Sequence, residues 1–157
     1  KLKNLLNLVK MTFKFLENVS LSDVAFQASG KTPEELFAAA GEAVLATQIK
    51  NYKRIKPKVK KQLLLKAESI EQLLFKFLDE LVFLKDKDLL LFNKFSGMKI
   101  GQKKGNGKGF SLKCTAVGEK LDTKRHISLV DVKAVTMHLF ELKKQGKGWK
   151  AKVVLDV

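Results

Sequence analysis

One cysteine, two prolines, two arginines, two histidines and one tryptophan are all that 157 residues provide of those types. A lone Cys114 cannot form an internal disulfide, which points to a reducing, cytoplasmic setting. His126, His138 and Cys114 are too few to build a His/Cys zinc site unaided. No serine sits in the glycine spacing of a nucleophile elbow. No stretch approaches the ~18–20 uninterrupted apolar residues needed to cross a bilayer, and no secretory leader is recognisable, so no membrane role is expected.

Positive charge is abundant. Lys and Arg total 31 against 16 Asp and Glu, a net +15 and a pI near 9.9. Such an excess attracts polyanions, nucleic acid foremost, which allows RNA contact through a basic surface; a general compositional bias toward lysine is the alternative, and the near-absence of Arg favours it. Only Arg54 and Arg125 offer the bidentate fork that reads bases, so diffuse attraction is expected rather than sequence reading. The 45% hydrophobic and 30% charged fractions are those of an ordinary globular domain. Residues 1–10, with Leu2, Leu5, Leu6 and Val9 on one helical face, are expected to be a non-native or flexible extension before a single domain at 11–157.

The periodicities alternate between strand and helix. Phe13–Leu16 reads as a short strand, and Asp23–Ser29 alternates Val24, Phe26 and Ala28 against polar neighbours. Thr32-Pro33-Glu34-Glu35 combines an N-cap, a proline at the first helical position and a glutamate three residues after the cap. Leu36, Phe37, Ala40, Ala43, Val44 and Thr47 continue it as a helix of about four turns. A lysine-rich connection with Pro57 leads to a strand at Gln62–Ala67. Ser69 and Gln72 cap a second helix, predicted to end near Leu84–Asp86.

Beyond it, Leu89–Phe95 and Phe110–Val117 read as strands, with Met98–Ile100 approaching a loop at Gly101–Gly109. Lys133–Lys143 and Trp149–Val157 are two long strands joined by a hairpin turn at Gln145–Gly148. The fold predicted is a single two-layer α+β domain, a mixed or antiparallel sheet with two main helices on one face. The glycine-rich loop fails as a P-loop: Gln102 stands where the first glycine belongs, and Gly109 replaces the serine or threonine. His138 reads as a packed or edge-exposed strand residue. Asp23 and Asp156 are strand-end carboxylates that, with the α-carboxylate at Val157, suit a hard cation; solvated aspartates are the alternative.

Two runs change that weighting. FKFLENVSLSDVAFQASGKTPEELFAAAGEAVL (Phe13–Leu45) and VKAVTMHLFELKKQGKGWKAKVVLDV (Val132–Val157) resemble the N- and C-terminal signatures of the archease family. The second helix and the Gly118-Glu119 pair also fit. The resemblance implies a small α+β protein without enzymatic activity of its own. It would activate an RtcB-type RNA ligase in tRNA splicing and RNA repair, promoting guanylylation of a ligase histidine and multiple turnover. It also implies metal ligands at Asp23, Asp156 and Val157, with Ca²⁺ expected and Mg²⁺ or Mn²⁺ as alternatives, and a role in activation for Lys133. Many members carry His-Thr-Ala before the first aspartate; here Ser20, Leu21 and Ser22 stand there, in a connection about two residues longer by motif alignment. Competing readings are a basic RNA-binding module, a chaperone-like modulator of RNA-modifying enzymes and a metal-dependent hydrolase. A shortage of placed general bases argues against the last.

Overall fold

The computed structural model describes residues 11–17, 22–103 and 109–157. The expectations for residues 1–10, for Ser20 and Leu21, and for the centre of the glycine-rich loop lie outside them.

Among the described residues, seven strands and two long helices follow in the order β1 (Thr12–Phe15), β2 (Asp23–Gly30), α1 (Pro33–Gln48), β3 (Val59–Ala67), α2 (Ile70–Asp88), β4 (Leu90–Gln102), β5 (Phe110–Lys120), β6 (Ala134–Gln145) and β7 (Gly148–Asp156). The α+β reading holds, and every strand pair is antiparallel. The strands divide between two sheets, one ordered β1-β2-β7-β6 and the other β3-β5-β4.

Both helix starts follow from their caps. The Thr32 hydroxyl accepts from Glu35 N at 3.2 Å, and the Ser69 hydroxyl accepts from Gln72 N at 3.1 Å. Each satisfies an amide that the first turn leaves unpaired. Gln72 reaches back to Glu68 N at 3.3 Å, one residue before the cap. The second helix runs a turn past its last regular apolar position, to Asp88. Leu89 then closes it in the left-handed region at φ 57°, donating to Leu84 O and Lys85 O. The basic Lys85 and Lys87 in that last turn suit the negative end of the helix dipole.

The strands differ from expectation in extent. β3 begins at Val59, just after Pro57, because the stretch from Val59 onward pairs continuously with β5. β4 runs on to Gln102 instead of yielding to a loop near Met98. Register shifts at Phe92/Lys94 and Ser96/Lys99 let it bend while staying paired to β5. The β6–β7 hairpin turns through Gly146 and Lys147, with Gln145 opposite Gly148. Gly146 takes φ +59°, which glycine adopts without Cβ strain.

The main core joins both helices to both sheets through Phe26, Phe37, Leu74, Phe77, Leu112 and Leu155. Burying each such side chain contributes roughly 1.5–3 kcal/mol. Cys114 lies in this core, and burial pushes its thiol up to about 11, so it stays protonated and unreactive at neutral pH. Leu45, Ile49, Ile55 and Leu91 form a smaller cluster at the C-terminal end of α1.

Candidate functional site

The alternation of β2 and β7 sends one set of side chains into the core and the other outward. Val24, Phe26 and Ala28 share one parity, and Ala151, Val153 and Leu155 share the facing one; apart from half-buried Val24, these residues belong to the core. Asp23 and Asp156 have the opposite parity. The register sets them directly across from each other on neighbouring strands. Opposite residues in such a pair have Cβ atoms about 4.5–5.5 Å apart, close enough for two carboxylates to face one cation.

Both aspartates are half-buried. Val157 follows, its amide donating to Ser22 O at 2.9 Å, which ties the end of β7 to the residue before Asp23. Lys133 N donates to Asp156 O at 2.8 Å, and the lysine side chain is exposed. The four residues singled out from the sequence therefore meet at one end of the four-stranded sheet.

A further oxygen shares that face. Thr136 lies opposite Val154 on β6, two residues beyond Ala134, which lies opposite Asp156. Its hydroxyl oxygen is buried and has no hydrogen-bond partner among the described residues. An unpaired buried hydroxyl costs free energy, and this one lies on the same face of the sheet as the two carboxylates, one cross-strand pair in from Asp156. The donors here are all oxygens, the set that hard cations select. Among the described residues no group of three or more His, Cys, Asp or Glu side chains is placed to hold a metal. Any such site thus rests on the aspartate pair supplemented by non-carboxylate side chains, main chain or water.

The helices hold this sheet end in place. Gln48, the last residue of α1, accepts Leu129 N at 2.7 Å through its backbone carbonyl and Val132 N at 3.4 Å through its side chain. Lys85 of α2 donates to Val132 O at 3.0 Å and pairs with Asp131 and Asp86. Burial works against its charge, but hydrogen bonds to Asp131 and Asp86 outweigh that and raise its pKa above the ordinary lysine value. The segment feeding Lys133 into β6 is thereby clamped to both helix C-termini.

Similarity to known proteins matches this architecture. A profile of the Archease protein family (MTH1598/TM1083) matches residues 13–157. The chain belongs to the archease family. It is 34% identical over 145 residues to Protein archease of Methanosarcina barkeri, covering 92% of this chain and 95% of that one. It is 35% identical over 137 residues to the Pyrococcus furiosus archease, covering 87% and 93%. The solution structure of protein 1598 of Methanobacterium thermoautotrophicum superposes with a TM-score of 0.79 at 31% identity, covering 94% of this chain and all of that one. A Thermotoga maritima protein described as an archease and possible chaperone shares the fold at TM-score 0.57 and 19% identity, over 92% and 98% of the chains.

The archease pair Gly118-Glu119 has a physical role that its sequence signal did not reveal. A Cβ on Gly118 would stand 1.7 Å from Leu91 O, so only glycine lets β4 and β5 approach at the Phe92/Lys94 bulge. Glu119 is a buried carboxylate that accepts from Lys56 N at 2.7 Å, from His126 Nε2 at 3.2 Å and from the Arg125 guanidinium. His126 Nδ1 accepts from Asp122 N at 2.9 Å, so its proton resides on Nε2, facing Glu119. Desolvation pushes the Glu119 carboxyl up, but Arg125, Lys56 N and His126 together bring it down to about 2. This cluster fastens the connection before β3 to the loop after β5. His126 is thus a structural residue, and His138 lies exposed on β6 as an edge-strand residue. No described helix is long and apolar enough to cross a membrane.

Proposed function

We propose that the chain is a non-enzymatic activator of an RtcB-type RNA ligase, promoting guanylylation and multiple turnover in tRNA splicing and RNA repair. In this reading it acts through a divalent cation held by Asp23 and Asp156 with Val157, and through Lys133. The observation that carries the reading is the cross-strand register of Asp23 with Asp156. Residues 133 positions apart in sequence converge as two carboxylates on one sheet end, with Lys133 N donating to the main-chain carbonyl of Asp156.

The donor chemistry fits a hard cation, Ca²⁺ first and Mg²⁺ or Mn²⁺ next, since every side-chain donor is oxygen. Bound there, the cation would supply concentrated positive charge for phosphate oxygens during nucleotidyl transfer. Asp23 and Asp156 hold that charge on two hydrogen-bonded strands, which resist movement better than a loop would. Lys133 offers an ammonium at the same sheet end, on a segment that Lys85 and Gln48 fasten to the helices. The Ser22–Val157 backbone bond keeps β7 from fraying away from the site.

RNA ligation by the partner ligase, measured at single and multiple turnover with and without the chain, tests the reading. Stimulation of both guanylylation and repeated turnover is expected. Turnover unchanged at saturating chain concentration would overturn it.

A further inference from the structure

The same outward face carries a second feature, which uses neither the cation nor the ligase. Away from the aspartate pair, pairing across the four strands builds two rows. One runs Lys14, Gln27, Lys152, Glu141, and the other runs Thr12, Ser29, Lys150, Lys143. Lys143 and Lys150 are direct cross-strand partners, an arrangement that like-charge repulsion makes unfavourable. Glu141 pairs with Lys143 at 3.0 Å, while Lys14, Lys150 and Lys152 have no acidic partner among the described residues. A depression of about 200 Å³ opens here, lined by Lys143, Lys150, Lys152, Gln27, Gln145 and Glu141.

We propose that this face of the four-stranded sheet binds the phosphodiester backbone of single-stranded RNA, with Lys14, Lys143, Lys150 and Lys152 as its phosphate contacts. Lys143 and Lys150 face each other with only Lys143 ion-paired, which costs stability, and a bound polyanion removes that cost. Three interstrand spacings, about 14 Å, separate the strands that carry Lys14 and Lys143, too wide for one phosphate and suited to successive phosphates of a strand. Both rows lack large apolar or aromatic side chains. That disfavours a protein interface, whose core needs such anchors, and it leaves bases unread. Gln27 and Gln145 add side-chain amides that hydrogen-bond phosphate or ribose oxygens.

The other sheet provides an internal control. Lys99 and Lys113 are also direct cross-strand partners, both exposed, on β4 and β5. If attraction were merely diffuse, removing either lysine pair would matter equally.

Fluorescence anisotropy of a labelled 20-nucleotide oligouridylate with the full chain, between 50 and 200 mM KCl and without ligase, tests the proposal. Four phosphate contacts give a log–log salt slope of about −2.8, an affinity loss of about 50-fold across that range. For Lys150→Ala/Lys152→Ala a slope of about −1.4 and a loss of about 7-fold are expected, together with weaker binding at 50 mM. Lys99→Ala/Lys113→Ala should retain the wild-type slope and affinity. Both variants change exposed or half-exposed lysines and should melt no lower than wild type, which separates lost binding from lost folding. Competition with GTP or inorganic phosphate distinguishes a strand from a lone phosphate, and neither should displace the oligonucleotide at equal phosphate concentration. Equal losses from the two double variants, absence of RNA binding, or displacement by GTP would each overturn the proposal. So would RNA binding unchanged in Lys150→Ala/Lys152→Ala alongside weakened capture of the ligase, which would make the face a protein contact. Because the ligase is absent from the binding assay, its outcome is independent of whether the chain activates that enzyme.

Discussion

Replacing Glu119 by glutamine changes one atom and should cost the fold heavily. The carboxylate is enclosed by three donors, Lys56 N, His126 Nε2 and the Arg125 guanidinium. Glutamine removes the charge and turns an NH₂ group toward at least one of those donors, leaving it unpaired. Breaking a buried ion pair from one side costs about 3–5 kcal/mol. Arg125 is 35% exposed and recovers some solvation, so about 2–4 kcal/mol is the expected loss. For a domain of this size that lowers the melting temperature by roughly 4–16 °C, at about 2–4 °C per kcal/mol. Thermal unfolding followed by circular dichroism at pH 7 measures it directly.

The pH dependence of the same variant is a second readout. The carboxyl titrates at about 2 when folded, below its ordinary value near 4.5. A depressed folded pKa gives stability that is complete above the ordinary value and disappears as pH falls toward 2. The difference between wild type and Glu119→Gln should therefore hold between pH 7 and about 5, then shrink below about 4.5. A melting temperature within about 1 °C of wild type at pH 7, or a gap that widens in acid, would mean that the Glu119 charge contributes little to the fold.

Three further outcomes follow from the packing. Gly118→Ala sets a methyl 1.7 Å from Leu91 O and forces β4 and β5 apart, so chemical denaturation should show a loss above about 3 kcal/mol. Lys85→Met keeps the stem but removes the charged donor to Val132 O; about 1.5–3 kcal/mol should be lost, with amide exchange accelerating first in residues 129–133. Thr136→Val replaces an unpartnered buried hydroxyl with a methyl, so stability should be unchanged or raised by up to about 1 kcal/mol. Destabilisation of the cation-free protein by that last change would mean the hydroxyl has a partner in solution.

Much of this molecule is legible in its sequence where the signal is local. Thr32-Pro33 and Ser69–Gln72 declare both helix starts, since capping depends on residues within one turn. The Gly146–Lys147 turn fixes the β6–β7 register through loop length alone. Asp23 and Asp156 were recognisable as strand-end carboxylates, and their meeting follows from a register that spacing within either strand cannot specify. Glu119, Arg125 and His126 were not recognised as a buried network. Their partner Lys56 N is a backbone amide 63 positions from Glu119, and a charged residue near a strand end ordinarily reads as solvated. The division into two sheets was likewise hidden, because alternation reports which residues face inward and not which strands pair. Nothing in the sequence sets Lys85 apart from the other lysines, and its contacts with Val132 O, Asp131 and Asp86 distinguish it.

Guanylylation of an RtcB-type RNA ligase by GTP in the presence of this chain tests the proposed function, comparing wild type with Asp156→Ala in protein shown to be folded. Strong stimulation by wild type and its loss with Asp156→Ala are the predicted results. Equal stimulation by both proteins would contradict the claim that the Asp23–Asp156 pair is the working site.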